Sequence, residues 1–252
     1  MGAGQAGAAD LVLGLETGGD HLSIALLSVA HDGVETLLEA RTAFRGPRHA
    51  DTLLTHADAM LRAHGKRTHD LTLVAVGRGP GGFTGVRVGL ATALGLHLGT
   101  GVPVWPVCSL ASLAFGTTGS DLREVRRVAV MIDARRGEVY GGLFSLGPGA
   151  GPEPMFPPEA GPREAFERKV LALTGGAEVT WVGSGVPHDG TDAGNPAHIG
   201  SAVSHARLAA RCWREAGRDP SQVPPLDPAY LRRSEAELNA EKALEKRRAM
   251  GE

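Results

Sequence analysis

Short apolar runs separated by polar residues open the chain and predict two strands joined by a hairpin. Residues 11–15 form an apolar run, Glu16 follows it, and the apolar pattern resumes in residues 22–27. The same arrangement returns later as residues 128–132, Asp133 and residues 139–144. In both copies the acidic residue stands six positions before the second run. This repeated unit of strand, acid, turn and strand predicts two related lobes that face each other.

Between and after the hairpins, the spacing of apolar residues predicts helices and further strands. In residues 49–64, one stripe at helical spacing carries Ala50, Leu53, Leu54, Ala57 and Leu61. Further helices are predicted over residues 84–99, 109–115, 163–173 and 204–216, and strands over residues 71–76, 102–107 and 179–182. Strands that alternate with helices in this way predict an α/β fold.

The composition divides the chain into two lobes and two tails. Residues 1–10 are rich in Gly and Ala and predict a flexible N-terminal tail. We expect an N-terminal lobe over residues 11–116 and a C-terminal lobe over residues 117–232. Residues 233–252 carry charges on most faces of a marginal helix, which is typical of a solvated C-terminal tail.

Charge and cysteine content narrow the classes of function. The chain has 252 residues, and its 26 Lys and Arg against 28 Asp and Glu give a net charge of −2. This balance argues against nucleic-acid binding by bulk charge alone. Two cysteines, Cys108 and Cys212, are too few for a disulfide framework and fit a reducing compartment. No apolar segment approaches the roughly 20 residues of a membrane span, so we expect a cytoplasmic protein with no membrane contact.

The most informative segment is Gly-Arg-Gly-Pro-Gly-Gly-Phe-Thr-Gly-Val-Arg at residues 77–87. It stands between a predicted strand and a predicted helix, where backbone N–H groups can hold an anion. Gly77 and Gly82 have the spacing of a P-loop and Thr84 takes its hydroxyl position, but Phe83 stands where a P-loop has Lys. This pattern favours a degenerate nucleotide or anion loop, which comprises Gly77, Arg78, Gly79, Gly81, Gly82, Thr84 and Arg87. The residues leave a second interpretation open, in which the glycines only form a tight turn and let the next helix pack closely.

The same segment closely resembles the signature of the TsaB (YeaZ) family of tRNA threonylcarbamoyladenosine biosynthesis proteins. Three more segments resemble that family: Leu-Gly-Leu-Glu-Thr at 13–17, Asp-Ala-Arg-Arg-Gly-Glu-Val-Tyr at 133–140, and Pro-Ala-Tyr-Leu-Arg at 228–232. The resemblance implies a two-lobe actin-like or sugar-kinase-like fold (ASKHA, RNase H-like) with mixed sheets. That expectation agrees with the duplicated hairpin.

The resemblance also implies a role without catalysis. A family member is a non-catalytic subunit required for the threonylcarbamoyladenosine (t6A) modification next to the anticodon, and it forms a heterodimer with its catalytic paralogue TsaD. The ATPase TsaE and the tRNA are expected to be reached through that complex. We expect no required cofactor and at most weak ATP or ADP binding, and the sequence leaves open whether the free chain forms a homodimer.

The family resemblance places the pairing surface on the helices predicted over residues 49–64 and 84–99. The residues expected there are Leu53, Ala57, Met60, Gly85, Gly89, Ala93 and Leu96. Gly85, Gly89 and Ala93 recur at four-residue spacing and permit close helix approach. On this basis, Gly85→Leu or Gly89→Leu is expected to block pairing without unfolding. The alternative is that these residues face the chain's own sheet.

The alternative function is a small-molecule kinase or ATPase of the same fold. Active members hold nucleotide between the lobes, with an acid at each hairpin end and a glycine-rich adenosine loop, and Glu16, Asp133 and residues 183–185 resemble these features. The bulky turn at residues 134–137, and Glu16 where many relatives have Asp, argue against turnover.

Metal and hydrolase chemistry find little support. A zincin motif needs two His at i and i+4, whereas His49 and His56 are seven positions apart, as are His198 and His205. We therefore expect no catalytic residue and no bound metal. Cys108 and Ser109 begin a predicted helix, and we interpret them as a helix cap.

Overall fold

The computed structural model describes residues 9–19, 21–44, 49–117, 124–187 and 201–232, so the predicted tails lie outside it except for residues 9 and 10. The first sheet contains β1 (Asp10–Glu16), β2 (His21–Val29), β3 (Glu35–Phe44), β4 (Leu73–Gly77) and β5 (Val104–Val107). The second contains β6 (Arg126–Arg135), β7 (Glu138–Leu146), β8 (Glu153–Pro154), β9 (Glu159–Pro162) and β10 (Thr180–Val182). The α-helices are α1 (His49–Ala63), α2 (Phe83–Thr100), α3 (Ser109–Gly116), α4 (Arg163–Thr174) and α5 (Ala202–Glu215).

The first sheet has the strand order β3-β2-β1-β4-β5. Strand β1 pairs antiparallel with β2 and parallel with β4, and β4 pairs parallel with β5. Helix α1 precedes β4 and α2 connects β4 to β5, because parallel neighbours need a crossover rather than a hairpin. This order and these directions are those of an RNase H-like sheet.

The second sheet repeats the hairpin in its centre. Strand β6 pairs antiparallel with β7 and parallel with β10, while β8 and β9 both pair with β7. Glu16 ends β1 and Asp133 lies near the end of β6, as the duplicated pattern predicts. The predicted fold class, a two-lobe α/β actin-like fold with mixed sheets, is confirmed.

Helices cover both faces of both sheets. On the first sheet, α1 and α2 bury one face around Leu13, Leu15 and Val76, and α5 buries the opposite face with Ala206 and Trp213. On the second sheet, one core joins α3 to β6 and β7, and another joins α4 to the opposite face. Buried apolar surface on each side of each sheet is the main source of stability of such layers.

Two helices pack against the sheet that their sequence position does not suggest. Helix α5 packs against the first sheet although it lies within residues 117–232, and α3 packs against the second sheet although it lies within residues 11–116. Helices α3 and α5 also contact each other between the two sheets. The predicted division at residue 116 therefore does not describe the packing of these two helices.

None of the helices within the described ranges has the length and apolar character that crossing a bilayer requires.

Candidate functional site

A cleft of about 250 Å³ lies between the two sheets. Its walls are the β1–β2 turn, the turn before α2, the β6–β7 hairpin and a C-terminal segment that follows α5. The residues that line it include Gly18, Gly81, Gly82, Phe83, Asp133, Arg135, Arg136, Ser184, Tyr230 and Arg232.

Beneath the cleft, Glu16 and His205 form a buried ion pair. Glu16 is 2% exposed and His205 is fully buried, and Oε2 of the carboxylate lies 2.9 Å from Nε2 of the imidazole. The N–H is not aligned well enough for a hydrogen bond, so the contact is mainly electrostatic. Nδ1 of His205 lies 2.9 Å from the carbonyl oxygen of Ser201. Nδ1 also lies 2.8 Å from the hydroxyl oxygen of Ser112.

The other contacts of Glu16 are hydrogen bonds from groups inside the protein. The backbone N–H of Gly18 donates to Oε1, and the hydroxyl of Ser109 donates to Oε2 at 3.2 Å. Burial alone would raise the pKa of the Glu16 carboxyl, but the charge of His205 and these hydrogen bonds outweigh it and lower the pKa below its ordinary value. The carboxylate at the end of β1 is thus an internal structural anion, and it does not line the cleft.

The glycine-rich turn is packed against the first hairpin. A Cβ on Gly77 would lie 2.7 Å from both Glu16 Oε2 and His205 Nε2, and one on Gly81 would lie 2.8 Å from the carbonyl oxygen of Gly18. The N–H of Gly82 donates to that same carbonyl oxygen at 2.6 Å. Close backbone approach therefore explains Gly77 and Gly81, as the second interpretation of this segment predicted.

The remaining predicted loop residues occupy different places. Gly82 lines the cleft at the N-terminus of α2, and Thr84 is exposed on the first turn of that helix. Gly79 is buried with a φ of +90°.

The backbone N–H of Arg78 donates to the carbonyl oxygen of Val107, and the carbonyl oxygen of Arg78 accepts from the N–H of Ala229. Arg87 lies one turn into α2, with its guanidinium carbon 3.6 Å from the ring centre of Phe83. Whether this loop binds an anion stays a prediction.

The second hairpin presents its acid differently. Oδ1 of Asp133 accepts from the N–H of Arg135 at 2.8 Å, Oδ2 lies 3.3 Å from the Arg135 guanidinium, and the Asp133 side chain is 39% exposed. Its backbone N–H donates to the hydroxyl of Ser184, which places residues 183–185 against β6. Arg135 and Arg136 have φ values of +69° and +60°. A left-handed backbone costs an L-residue roughly 1–2 kcal/mol, so this turn is strained on the rim of the cleft.

The predicted partner-interface residues are buried inside the chain. Leu53, Ala57, Met60, Gly85, Gly89, Ala93 and Leu96 all lie on the sheet-facing sides of α1 and α2. A Cβ on Gly89 would lie 2.4 Å from Oγ1 of Thr17, and the same Oγ1 donates to the Gly85 carbonyl oxygen. These residues therefore cannot form a contact face, and Gly89→Leu would disrupt the fold before it affected pairing. The physical reason is that the chain's own sheet covers the main apolar stripe of each helix.

The outward sides of these helices carry exposed apolar residues, among them Leu54, which helical spacing placed on the same stripe as the buried Leu53. Leu98 is 77% exposed, Leu94 is 44% exposed and Leu54 on α1 is 49% exposed. Around Gly95 and Gly99, no atom lies within 4 Å of a built Cβ position. Helical spacing alone does not distinguish Leu54 from the neighbouring Leu53, because both are leucine and only packing separates them.

The remaining candidates for chemistry are engaged in packing. Burial raises the pKa of the Cys108 thiol, and the Ser109 hydroxyl is used by Glu16. In the part of the chain that the structure describes, no three His, Cys, Asp or Glu side chains come together as a metal site. No local sequence signal predicts the contact of His205 with Glu16, whereas Tyr230 and Arg232 lie in segment 228–232, one of those that resemble the family.

The chain is similar to known proteins in both sequence and fold. A family model described as "TsaD: tRNA N6-adenosine threonylcarbamoyltransferase" matches residues 44–147. The chain is 36% identical over 129 residues to the tRNA threonylcarbamoyladenosine biosynthesis protein TsaB of Haemophilus influenzae, a match of 51% of each chain. The TsaB protein of Escherichia coli is 35% identical over 129 residues, 51% of this chain and 52% of that relative. The chain thus spans about half the length of these curated relatives.

A solved structure extends the comparison over most of the chain. "YeaZ from Pseudomonas aeruginosa" superposes with a TM-score of 0.67 and 28% identity, and it covers 88% of this chain and 100% of that one. Together with the curated relatives, this likeness supports assignment of the chain to the TsaB/YeaZ family.

Proposed function

We propose that this chain takes part in t6A biosynthesis as a non-catalytic subunit that pairs with a TsaD-type partner. The pathway is supported by the name that the curated relatives share, tRNA threonylcarbamoyladenosine biosynthesis protein TsaB. The family model that matches residues 44–147 carries the TsaD description, which supports common descent with the transferase. Paralogous folds of this kind can pair through equivalent helices.

The composition of α2 is the observation that supports pairing with a partner. This helix has 18 residues, and Arg87 and His97 are its only basic or acidic side chains. One side is buried on the first sheet, yet Leu94 and Leu98 on the opposite side are exposed. A helix that is apolar all round is normally covered all round. We therefore assign the outer face, defined as Leu54, Ala91, Leu94, Gly95 and Leu98, as the surface that contacts the partner.

Small residues in the outer face favour close helix packing. Gly95 has open space around its Cβ position, and Leu94 and Leu98 flank it at helical spacing. Facing helices approach to about 8–10 Å when the contact residues are small. When no partner is present, the same face is the surface through which two copies of the chain would pair.

The contacts of the hairpin acids support a non-catalytic role. Both carboxylate oxygens of Glu16 have partners among His205, Gly18 and Ser109, and Glu16 does not line the cleft. Phe83 stands at the α2 N-terminus where a P-loop has its phosphate-binding Lys. Ligand pockets commonly have volumes of about 300–1,000 Å³, and this cleft has about 250 Å³. We propose that the chain requires no cofactor and that any ATP or ADP binds the cleft weakly.

The other partners follow from the proposed complex. The net charge of −2 gives this chain no bulk attraction for RNA. The tRNA and the ATPase TsaE would therefore bind the complex with TsaD, rather than this chain alone.

Reconstitution tests the proposal. Purified TsaC, TsaD and TsaE from the same organism are incubated with substrate tRNA, threonine, bicarbonate and ATP, with and without this chain. Mass spectrometry of the digested tRNA measures t6A, and a parallel reaction measures ATP hydrolysis by the chain alone. We expect t6A only when the chain is present, and no hydrolysis by the chain alone. Equal t6A without the chain, together with hydrolysis by the chain, would instead identify an ATPase or small-molecule kinase.

A further inference from the structure

The segment after α5 runs from one sheet to the other. Leu226 packs against the core between the first sheet and helices α1 and α2, and Leu231 packs against the core between α3 and the second sheet. Residues 229–232 also line the cleft. We call residues 226–232 the strap, because Leu226 and Leu231, which are only five positions apart, contact the cores of different sheets.

On the first sheet's side, the strap is held by a hydrogen bond and an aromatic stack. The N–H of Ala229 donates to the carbonyl oxygen of Arg78 at 2.7 Å. The ring of Tyr230 stacks on Phe83 with centres 4.9 Å apart, and its hydroxyl accepts from Nε of Arg87 at 2.7 Å. Arg87 also lies over the face of Phe83. These contacts fix Tyr230 against the first turns of α2.

On the second sheet's side, Leu231 packs against the apolar core and Arg232 makes the polar contacts. The guanidinium of Arg232 lies 3.0 Å from Oε2 of Glu138 and donates to the carbonyl oxygen of Ala134 at 3.2 Å. Both acceptors belong to the β6–β7 hairpin, and the side chains of Arg232 and Glu138 are 22% and 38% exposed. The two anchors of the strap, Tyr230 and Arg232, are therefore two residues apart and bind opposite walls of the cleft.

We propose that the strap holds the two sheets in one relative orientation and narrows the cleft below the size of a nucleotide. When only a fraction of the protein is in the conformation that can bind a ligand, the apparent affinity is reduced by that fraction. Release of the strap would raise that fraction by freeing the β6–β7 hairpin from α2. This inference concerns the chain by itself and does not depend on the proposed pairing with TsaD.

The experiment compares the full chain with Tyr230→Ala/Arg232→Ala, which removes both anchors. Spin labels at Thr36→Cys and Arg168→Cys report the distance between the sheets, in a background where Cys108 and Cys212 are replaced by Ala and labelled protein is diluted with unlabelled protein. Binding of a fluorescent N-methylanthraniloyl ATP is titrated in parallel. The matched control is Arg207→Ala, which removes an ion pair of 3.0 Å with Glu35 that lies entirely on the first sheet's side.

The proposal predicts a broader distance distribution and at least about tenfold tighter binding of the ATP analogue in the double variant, with the control unchanged. A folded double variant that matches the parent in either quantity overturns it. Should the double variant fail to fold, hydrogen exchange of the parent decides. The Ala229 amide must then exchange at least about a hundredfold more slowly than an unprotected amide, and exchange at the unprotected rate means that the strap is detached in solution.

Discussion

The two hairpins share one sequence pattern but use their acidic residues in opposite ways. In the first, Glu16 is buried with His205 and its turn is packed under α2. In the second, Asp133 stays partly exposed with Arg135 next to it, and its turn is strained. The difference shows that two copies of a duplicated unit can share their strand arrangement while only one copy buries its acidic residue as a structural anion. Five substitutions, and the pH dependence of one of them, test that comparison.

Removing the negative charge should destabilise the first hairpin far more than the second. Breaking a buried ion pair by removing one partner costs about 3–5 kcal/mol, whereas an exposed pair contributes about 0–1 kcal/mol. We expect Glu16→Gln to lower the free energy of unfolding by about 3 kcal/mol and Asp133→Asn by about 0.5 kcal/mol or less. Urea denaturation followed by circular dichroism measures both. Equal losses would show that the two acids play the same role.

The buried pair should also make stability depend on pH in the acid range. Because the folded pKa of Glu16 lies below its ordinary value of 4.5, its contribution is complete above that value and is lost as the pH falls through the folded pKa. The difference in unfolding free energy between the parent and Glu16→Gln should therefore shrink as the pH falls below about 4.5. Urea titrations at several pH values between neutral and acid test this, and a difference that grows on acidification would contradict it.

The turn of the first hairpin should be sensitive to crowding from α2. Gly89→Ala places a methyl group 2.4 Å from Thr17 Oγ1, and overpacking of this kind costs about 1–3 kcal/mol. Gly95→Ala on the same helix meets open space and should gain about 0.5–1 kcal/mol from higher helix propensity. Thermal unfolding of the two variants measures the contrast. If Gly95→Ala lowered the free energy of unfolding as much as Gly89→Ala, the crowding of Gly89 against Thr17 would not explain the loss.

The turn of the second hairpin should respond in the opposite direction. Arg136 and Gly137 both have positive φ, the requirement of a two-residue type I′ turn, for which Asn-Gly is preferred. We expect Arg136→Asn to raise the free energy of unfolding by about 0.5 kcal/mol, since Asn tolerates the left-handed region better than Arg. Denaturation of the variant and the parent side by side checks the sign, and destabilisation would mean that the interactions of the Arg136 side chain outweigh the backbone strain.

Much of the fold was predictable from local patterns. Predicted helices at residues 49–64, 84–99 and 163–173 correspond to α1, α2 and α4 within one residue at each end. Both hairpins and the glycine-rich turn between β4 and α2 were also predicted correctly. These elements are encoded by periodicity and turn residues, which act over a few positions. Strand β3 was missed because it is an exposed edge strand with Glu35, Glu39 and Arg41 and little apolar alternation.

The candidate site was less predictable because it depends on distant contacts. An amphipathic pattern indicates that α5 has a buried face but does not say that the first sheet covers it. The pairing of Glu16 with His205 depends on that placement, as does the need for glycine at position 77. For α1 and α2, the sequence marks apolar positions on both sides, and only the packed structure separates the inner face from the outer face.

The measurement that tests the central claim most directly is the affinity of TsaD for this chain and two matched variants. Leu98→Glu places a charge in the outer face at a residue 77% exposed, and Leu171→Glu places the same charge on α4 at a residue 56% exposed. Isothermal titration calorimetry gives the Kd of each, and circular dichroism checks folding. We expect Leu98→Glu to weaken binding about 30-fold or more, as for a central interface residue, and Leu171→Glu to leave the Kd unchanged. Equal affinity of the two folded variants for TsaD would contradict pairing through the outer face.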